Sequence, residues 1–355
     1  MTVVDTALHE GLSAARRRPE LPGAACRLHA GEFLVFIEPD EPARVRDFAA
    51  FHDWFVSISG PMEAMLCAHG AVVLRGFPVR ETAQFDALFG HYRVHGAGYA
   101  AGATPRERIG GNVFESTRAA PPVKILLHQE KAYLGVFPRR LAFFCQSAPD
   151  SGGETIVADM RRIAELLPDA FVRRLREQGL IYKRNFASPT RERSGFAQRL
   201  LAGYHRSWAE AFYTSDRSAI EKECESLGLA FRWLDDGSLE VRNHLPAFRA
   251  HPATGESHWF NHLAMLHPNR QSLGPAYPAY LQTYADAASR PYQVNWGNGD
   301  PIEADAIAPL YAALDRLAVA FPWRVGDVML VDNFSTAHGR NPYRGTRNVQ
   351  VMMFD

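Results

Sequence analysis

The sequence predicts a mainly β protein with α insertions, and three observations carry that reading. Short apolar, β-branched runs suited to strands occur near both ends of the chain, and helical periodicities are grouped between and outside them. The regular strand–helix exchange of a parallel α/β protein is absent. No internal repeat and no Pro- or Ser-rich linker divides the 355 residues. They read as a single domain, residues 1–355, on a double-layered jelly roll: a double-stranded β-helix core with flanking helices.

In chain order, residues 1–30 form an N-terminal lead-in. Its Arg16, Arg17 and Arg18 suit solvent, and it lacks the apolar core of a secretory signal. Residues 43–68 carry apolar positions at three- and four-residue spacing and predict helix. HGAVVLRGF holds a buried strand over residues 71–74 that ends at Gly76, residues 84–92 read as helix, and the Gly-rich stretch 96–112 reads as an irregular loop. Strands over 140–148 and 154–159 flank the turn PDSGG. Residues 160–167 and 171–178 read as helices and open a mostly helical insertion over about 160–228. LAFRWLDDGSLEVRNH alternates on both sides of Asp-Asp-Gly, the pattern of a β-hairpin. A helix covers roughly 302–320, and the chain ends as strand GDVMLVDN, turn FSTAHGRNPYRG and strand NVQVMMFD.

Composition narrows the partners. Lys+Arg and Asp+Glu are equal at 39 each, so no charge excess draws the chain to nucleic acid or an anionic membrane. No window has the eighteen or more apolar residues of a membrane span. Cys26, Cys67, Cys145 and Cys224 are scattered without a CxxC pair, which predicts reduced thiols in the cytoplasm. A small molecule becomes the expected partner, and a homo-oligomer is left open.

Within ILLHQEKAYLGVFPRRLAFFC, His128 and Glu130 stand two apart. On a strand that spacing puts an imidazole and a carboxylate on one face. A facial metal site needs one more histidine, and His338 stands out among fourteen because it follows the apolar strand VMLVDN, in a short loop before the next strand. Two histidines and a carboxylate leave three octahedral positions open. 2-Oxoglutarate would fill two of them through its 2-oxo and carboxylate oxygens, and its far carboxylate would need a cation. Arg347, nine residues after His338, suits that task, with Arg340 and Arg344 as neighbours and the Thr155 hydroxyl as a second contact. His258, His262 and His267 in SHWFNHLAMLHP lack the HExxH pattern of a zinc hydrolase.

The blocks HGAVVLRGF, HQEKAY, CQSAPDSGGETIVAD, HPATGESHWFNH and GDVMLVDNFSTAHGRNPYRGTR follow one another in an order that resembles the TauD/TfdA superfamily of Fe(II)- and 2-oxoglutarate-dependent dioxygenases. Within it, the chain is most similar to the branch of the syringomycin-pathway aspartyl hydroxylase, and more distantly to clavaminate synthase. The resemblance implies that His128, Glu130 and His338 bind iron, that Arg347 (Arg344 being the alternative) meets the far carboxylate of 2-oxoglutarate, and that Thr155 adds to it. Glu130 occupies the position that related halogenases clear for chloride, so the resemblance argues against halogenation, and hydroxylation is the expected reaction. The implied cofactors are Fe(II), 2-oxoglutarate and O2, with succinate and CO2 released. The implied substrate is an amino acid or an amino-acid-derived molecule, free or tethered to an acyl or peptidyl carrier protein, in specialised metabolism such as antibiotic biosynthesis. Desaturation, epoxidation or cyclisation are alternative outcomes, and a non-catalytic jelly-roll binding protein is the alternative of another class. Ser116 and Thr117, with the Gly-rich loop before them, are the candidate substrate-lining residues. TRERSGFAQR reads as a solvated helix face, with docking of an acidic carrier as a lesser reading.

Overall fold

The computed structural model describes residues 20–29, 33–41, 46–96, 106–117, 119–191, 205–286 and 289–355. Its strands are β1 (Ala24–Leu28), β2 (Val35–Pro39), β3 (Ala71–Leu74), β4 (Arg108–Gly110), β5 (Val113–Glu115), β6 (Ile125–His128), β7 (Arg140–Ser147), β8 (Ser151–Gly152), β9 (Thr155–Asp159), β10 (Leu180–Phe186), β11 (Ala230–Trp233), β12 (Leu239–Leu245), β13 (Phe248–Ala250), β14 (Ser257–Trp259), β15 (Tyr292–Trp296), β16 (Val319–Phe321), β17 (Val328–Asp332), β18 (Thr336–Arg340), β19 (Tyr343–Arg344) and β20 (Asn348–Phe354).

Strands that are apolar on both faces belong inside a covered sheet, and β3, β7, β17 and β20 are such strands. They lie at the middle of an eight-stranded sheet of order β1-β2-β3-β17-β7-β20-β5-β4, antiparallel throughout except where β2 meets β3. One face of this sheet, with Val35, Val72, Phe144 and Leu330, packs against the helices Phe48–Ser57, Ser59–His69 and Thr82–Leu88. The opposite face, with Phe36, Val73, Phe143, Met329 and Val351, meets Val157 and Phe321 of a four-stranded sheet of order β16-β9-β18-β6. Each large apolar side chain removed from water in these layers contributes roughly 1.5–3 kcal/mol. The back of the small sheet, with Leu127, Ile156, Ala158 and Ala337, is closed by a third sheet, β11-β12-β10-β15, and by the helix Ala304–Leu317. The protein is thus mostly β with several helices. Among the described residues, no helix is long and apolar enough to cross a membrane.

The helices outside the large sheet have local causes. Asp47 accepts the Ala50 N–H at 2.9 Å and caps the first helix. The helical stretch predicted over 43–68 is two helices, which abut at Ile58. The second ends at Gly70, whose φ of 81° suits glycine and whose missing Cβ leaves room for the Thr336 hydroxyl of β18.

Several predicted boundaries shift. The lead-in over 1–30 includes β1, paired with β2. The predicted loop 96–112 includes the short edge strand β4, and residues 97–105 lie outside the described set. The insertion over 160–228 does contain the 3-10 helix Met160–Leu166 and the helices Asp169–Gln178, Trp208–Phe212 and Arg217–Ser226. It also supplies β10, which pairs with β12 on one side and β15 on the other. The sequence LIYKRNF buries Leu180, Tyr182, Arg184 and Phe186, a period of two that helix cannot use. Most of TRERSGFAQR lies outside the described residues.

Candidate metal centre

The small sheet sets the geometry. β18 lies between β9 and β6, with His338 opposite Val157 on one side and His128 on the other. Neighbours in register point to the same face, and Val157 belongs to the layer between the two sheets. His338 therefore enters that layer, where its ring centroid lies 5.2 Å from Phe143 of β7 and 4.5 Å from His128. Glu130 follows the end of β6, with its Oε2 3.8 Å from His338 Nε2. The ligand atoms of His128, Glu130 and His338 all lie within 4.8 Å of one another. His338 was expected in a loop, and the structure places it in mid-strand. The segment TAHGR has no apolar alternation, and it is strand because two neighbours pair with it. A Cβ at Gly339 would lie 3.0 Å from the Ile156 side chain.

Buried amides hold the carboxylate in place. Asn333 accepts the Glu130 N–H at 2.7 Å and donates to the carbonyls of Glu130 at 3.0 Å and Pro138 at 2.8 Å. Gln129 donates to the carbonyls of Trp259, Asn333 and Phe334. The next residue, Lys131, takes φ 57°, a left-handed conformation that a non-glycine residue holds only when its surroundings impose it. Lys131 Nζ lies 3.3 Å from His95 Nε2, and His95 Nδ1 lies 2.5 Å from the Asp355 carboxylate.

The protonation pattern suits a cation. His128 Nδ1 is 2.8 Å from the Leu126 carbonyl, which can only accept, so Nδ1 carries the proton and Nε2 keeps its lone pair. Burial lowers the pKa of His128, and Arg106 adds to this. Burial, then His128 and Arg106, hold His338 well below the ordinary imidazole range. His338 Nδ1 is buried without a hydrogen-bond partner. Two neutral imidazoles and one carboxylate, converging from two strands and a loop, fit a divalent metal with open positions.

Beside this centre, Thr155 begins β9 two residues before Val157. At about 3.3 Å per residue, this puts it about 7 Å along the strand from the His338 register position. Trp323 Nε1 donates to Thr155 Oγ1 at 2.9 Å, and Arg347 Nη2 approaches the same oxygen at 3.5 Å while its Nε donates to the Gly153 carbonyl at 2.9 Å. Burial, and secondarily Arg340, push the Arg347 pKa down to about 10. Among the described residues, no carboxylate lies within ion-pair distance of it. Such a guanidinium favours an incoming anion. Arg340 spends its guanidinium on the carbonyls of Ala119, Ala120 and Val123, and Arg344 is exposed on β19. Ser116 donates its N–H to the Val349 carbonyl and Thr117 Oγ1 accepts from Ala119, so both lie at the end of β5.

Sequence reasoning set His262 aside as one of three histidines without the HExxH pattern, and it missed Arg106 and a second buried cluster. The His262 ring packs edge-on against His128 at 5.4 Å and against Tyr133 at 4.8 Å. Arg106 Nη2 is 3.4 Å from Glu130 Oε2. Cys67, His251 and Asp332 form a second buried cluster, in which His251 Nε2 donates to Asp332 at 2.8 Å and Nδ1 accepts the N–H groups of Ala253 and Thr254. Both nitrogens of that ring are committed, so it ties the turn between β13 and β14 to Asp332 at the end of β17.

The family described as taurine catabolism dioxygenase TauD, TfdA matches residues 39–353. The chain belongs to the TauD/TfdA family. It is a dioxygenase, and the cofactors of this class are Fe(II) and 2-oxoglutarate. Two relatives of this TauD/TfdA protein are each 30% identical. The dapdiamide synthesis protein DdaC of Enterobacter agglomerans aligns over 295 residues, 83% of this chain and 85% of that protein. A clavaminate synthase-like protein of Arabidopsis thaliana aligns over 292 residues, 81% of this chain and 82% of that protein. Among solved structures, PvcB of Pseudomonas aeruginosa superposes with a TM-score of 0.51 at 16% identity, covering 94% of this chain and 92% of its own. AAD-2 in complex with Mn(II) and N-oxalylglycine gives 0.50 at 13% identity, covering 93% and 96%. These two share the fold.

Proposed function

We propose that His128, Glu130 and His338 hold Fe(II), and that Arg347 with Thr155 receives the far carboxylate of 2-oxoglutarate. The core is then a double-stranded β-helix with the metal between its sheets. The observation that carries this reading is the register of β18. It sets two histidines side by side against Glu130 and leaves Thr155 about one pleat repeat away, with Arg347 Nη2 3.5 Å from its hydroxyl. The reaction is hydroxylation of an unactivated C–H bond: substrate, 2-oxoglutarate and O2 give hydroxylated substrate, succinate and CO2. Bound iron and 2-oxoglutarate supply the activation of O2.

The chain's own residues supply the rest. The proton on His128 Nδ1 fixes the ring with Nε2 toward the centre. Asn333 and Gln129 hold the backbone on which Glu130 stands. Phe143 fills the layer beside His338 and keeps water from it. Arg347 neutralises a carboxylate at the far end.

The substrate is an amino acid or amino-acid-derived molecule, free or carrier-tethered, in specialised metabolism. The relation to a dapdiamide synthesis protein supports a biosynthetic setting, and a place near the aspartyl-hydroxylase branch follows from the sequence blocks. Ser116 and Thr117 at the end of β5 remain the proposed substrate-lining pair. The test is succinate release from purified protein with Fe(II), 2-oxoglutarate and O2 across an amino-acid panel, followed by product mass. A gain of one oxygen supports hydroxylation, a loss of two hydrogens replaces it with desaturation or ring closure, and absence of 2-oxoglutarate consumption refutes the reading.

A further inference from the structure

The hydrogen bonds on the Thr155 hydroxyl are all of one kind. Two residues before Val157 on β9, Thr155 faces the layer between the two sheets and is 3% exposed. On β16 it lies opposite Phe321. Trp323, two residues farther along, sends its Nε1–H to Thr155 Oγ1 at 2.9 Å, and Arg347 Nη2 approaches the same oxygen at 3.5 Å. The turn that carries the indole is itself held. Arg75 Nη2 donates to the Pro322 carbonyl at 2.9 Å, and Asp327 accepts from that guanidinium at 2.7 Å and from the Arg324 N–H at 2.8 Å. The Trp323 ring packs on Phe321 at 5.0 Å.

An indole N–H and a guanidinium can only donate. Thr155 Oγ1 therefore accepts from both, which takes up its two lone pairs and leaves its own proton to point elsewhere. Among the described residues, no acceptor meets that proton. The chain thus presents an O–H beside the N–H groups of Arg347, and Oγ1 has no lone pair left for a ligand. An ionised carboxylate, with acceptors on both oxygens, satisfies these donors. A primary amide brings one oxygen and an NH2 group that meets only other donors. Without the indole N–H, the hydroxyl could turn and accept from that NH2, and the distinction would fade.

We propose that Trp323 is a positioning residue for the far-carboxylate pocket: by fixing Thr155 as a donor, it makes this end of the site take a carboxylate and reject a neutral amide of the same shape. This rests on the cosubstrate assignment made above. The alternative is a Trp323 that only packs beside β9 and steadies the turn between β16 and β17.

The test uses full-length protein loaded with Mn(II) and calorimetry of two probes. One is N-oxalylglycine, and the other is N-oxalylglycinamide, which keeps the chelating end and carries an amide in place of the far carboxylate. Wild type is compared with Trp323→Phe, Thr155→Val, Thr155→Ser and the double variant Trp323→Phe/Thr155→Val, each checked for folding by circular dichroism. Benzothienylalanine at position 323, in which sulfur replaces the indole N–H and the ring keeps its shape, carries the same test where Trp323→Phe does not fold. Without the N–H, N-oxalylglycine should bind about three- to tenfold more weakly, while N-oxalylglycinamide binds as in wild type or more tightly. Thr155→Val should lose the same share of the acid preference and Thr155→Ser should keep it. The double variant should be no worse than Thr155→Val, because Trp323 acts through that hydroxyl. Equal weakening of both probes, unchanged affinity for N-oxalylglycine, or losses that add in the double variant would overturn the proposal and leave Trp323 a packing residue. Wild type that binds Mn(II) yet takes no N-oxalylglycine overturns the cosubstrate assignment itself, a failure distinct from an acid preference that survives loss of the indole N–H.

Discussion

Replacing Asn333 by alanine is predicted to loosen the proposed metal centre without touching any of its three proposed ligands. The side chain is fully buried and makes three hydrogen bonds, one accepted from the Glu130 N–H and two donated to the Glu130 and Pro138 carbonyls. Truncation leaves three buried backbone groups without these partners. At roughly 1–3 kcal/mol for each unsatisfied buried group, and some recovery by water entering the space, the expected loss of folding stability is about 3–6 kcal/mol. The same groups fix the backbone under Glu130, so Mn(II) affinity should fall by about tenfold or more in the fraction that stays folded. Urea unfolding at equilibrium reads the first quantity and metal titration by electron paramagnetic resonance the second. Gln129→Ala removes a side chain that bonds three carbonyls from one nitrogen, and should move both readouts the same way. A variant Asn333→Ala within about 1 kcal/mol of wild type, with unaltered Mn(II) affinity, would refute the clamp.

Arg347→Ala should weaken 2-oxoglutarate binding by about a hundredfold while leaving Mn(II) binding unchanged, as measured by calorimetry. Gly153→Ala should weaken it too, and cost about 1–3 kcal/mol of stability, because φ is 69° there and a Cβ would lie 2.8 Å from Pro149 Cγ and 3.1 Å from Arg347 Cδ. Unfolding melts and the same titration check both effects. For pH, burial raises the Asp332 carboxyl, but the His251 hydrogen bond and the Ser335 N–H outweigh it, so its net pKa lies below the ordinary value. A lowered carboxylate pKa contributes stability that is present above the unfolded value of about 4 and is lost as pH falls through the folded value. Unfolding measured from pH 6 to 2 should therefore be steeper in wild type than in Asp332→Asn, and equal slopes would contradict this.

Much of the candidate site and its surrounding sheet was legible because the residues sit in segments with strong local signals. The β-branched run AVVL and the apolar strands of β7 and β17 are buried on both faces, and such strands read as continuous hydrophobic runs. His128 ends β6, while Glu130, expected beside it on the same strand face, stands in the turn that follows, and buried hydrogen bonds between Asn333 and its backbone hold it there. β18 was illegible because Thr-Ala-His-Gly-Arg has no alternation of its own, and pairing with β6 and β9 makes it a strand. β10 was hidden for a related reason. Its Lys183 and Arg184 look solvated in sequence, yet Lys183 reaches Glu240 at 3.2 Å and Arg184 lies over the Phe186 ring at 4.5 Å. Asn333 and Arg106 carry no motif at all, since their roles arise from contacts that only the folded chain creates.

The most direct test is anaerobic reconstitution with Fe(II) and 2-oxoglutarate, followed in the visible region for the weak metal-to-ligand charge-transfer absorption of the chelate. The expected result is a band in wild type that is lost in His338→Ala while the variant remains folded. A folded, iron-loaded wild type without the band, or a His338→Ala variant that keeps it, would contradict the assignment of His128, Glu130 and His338 as the metal centre.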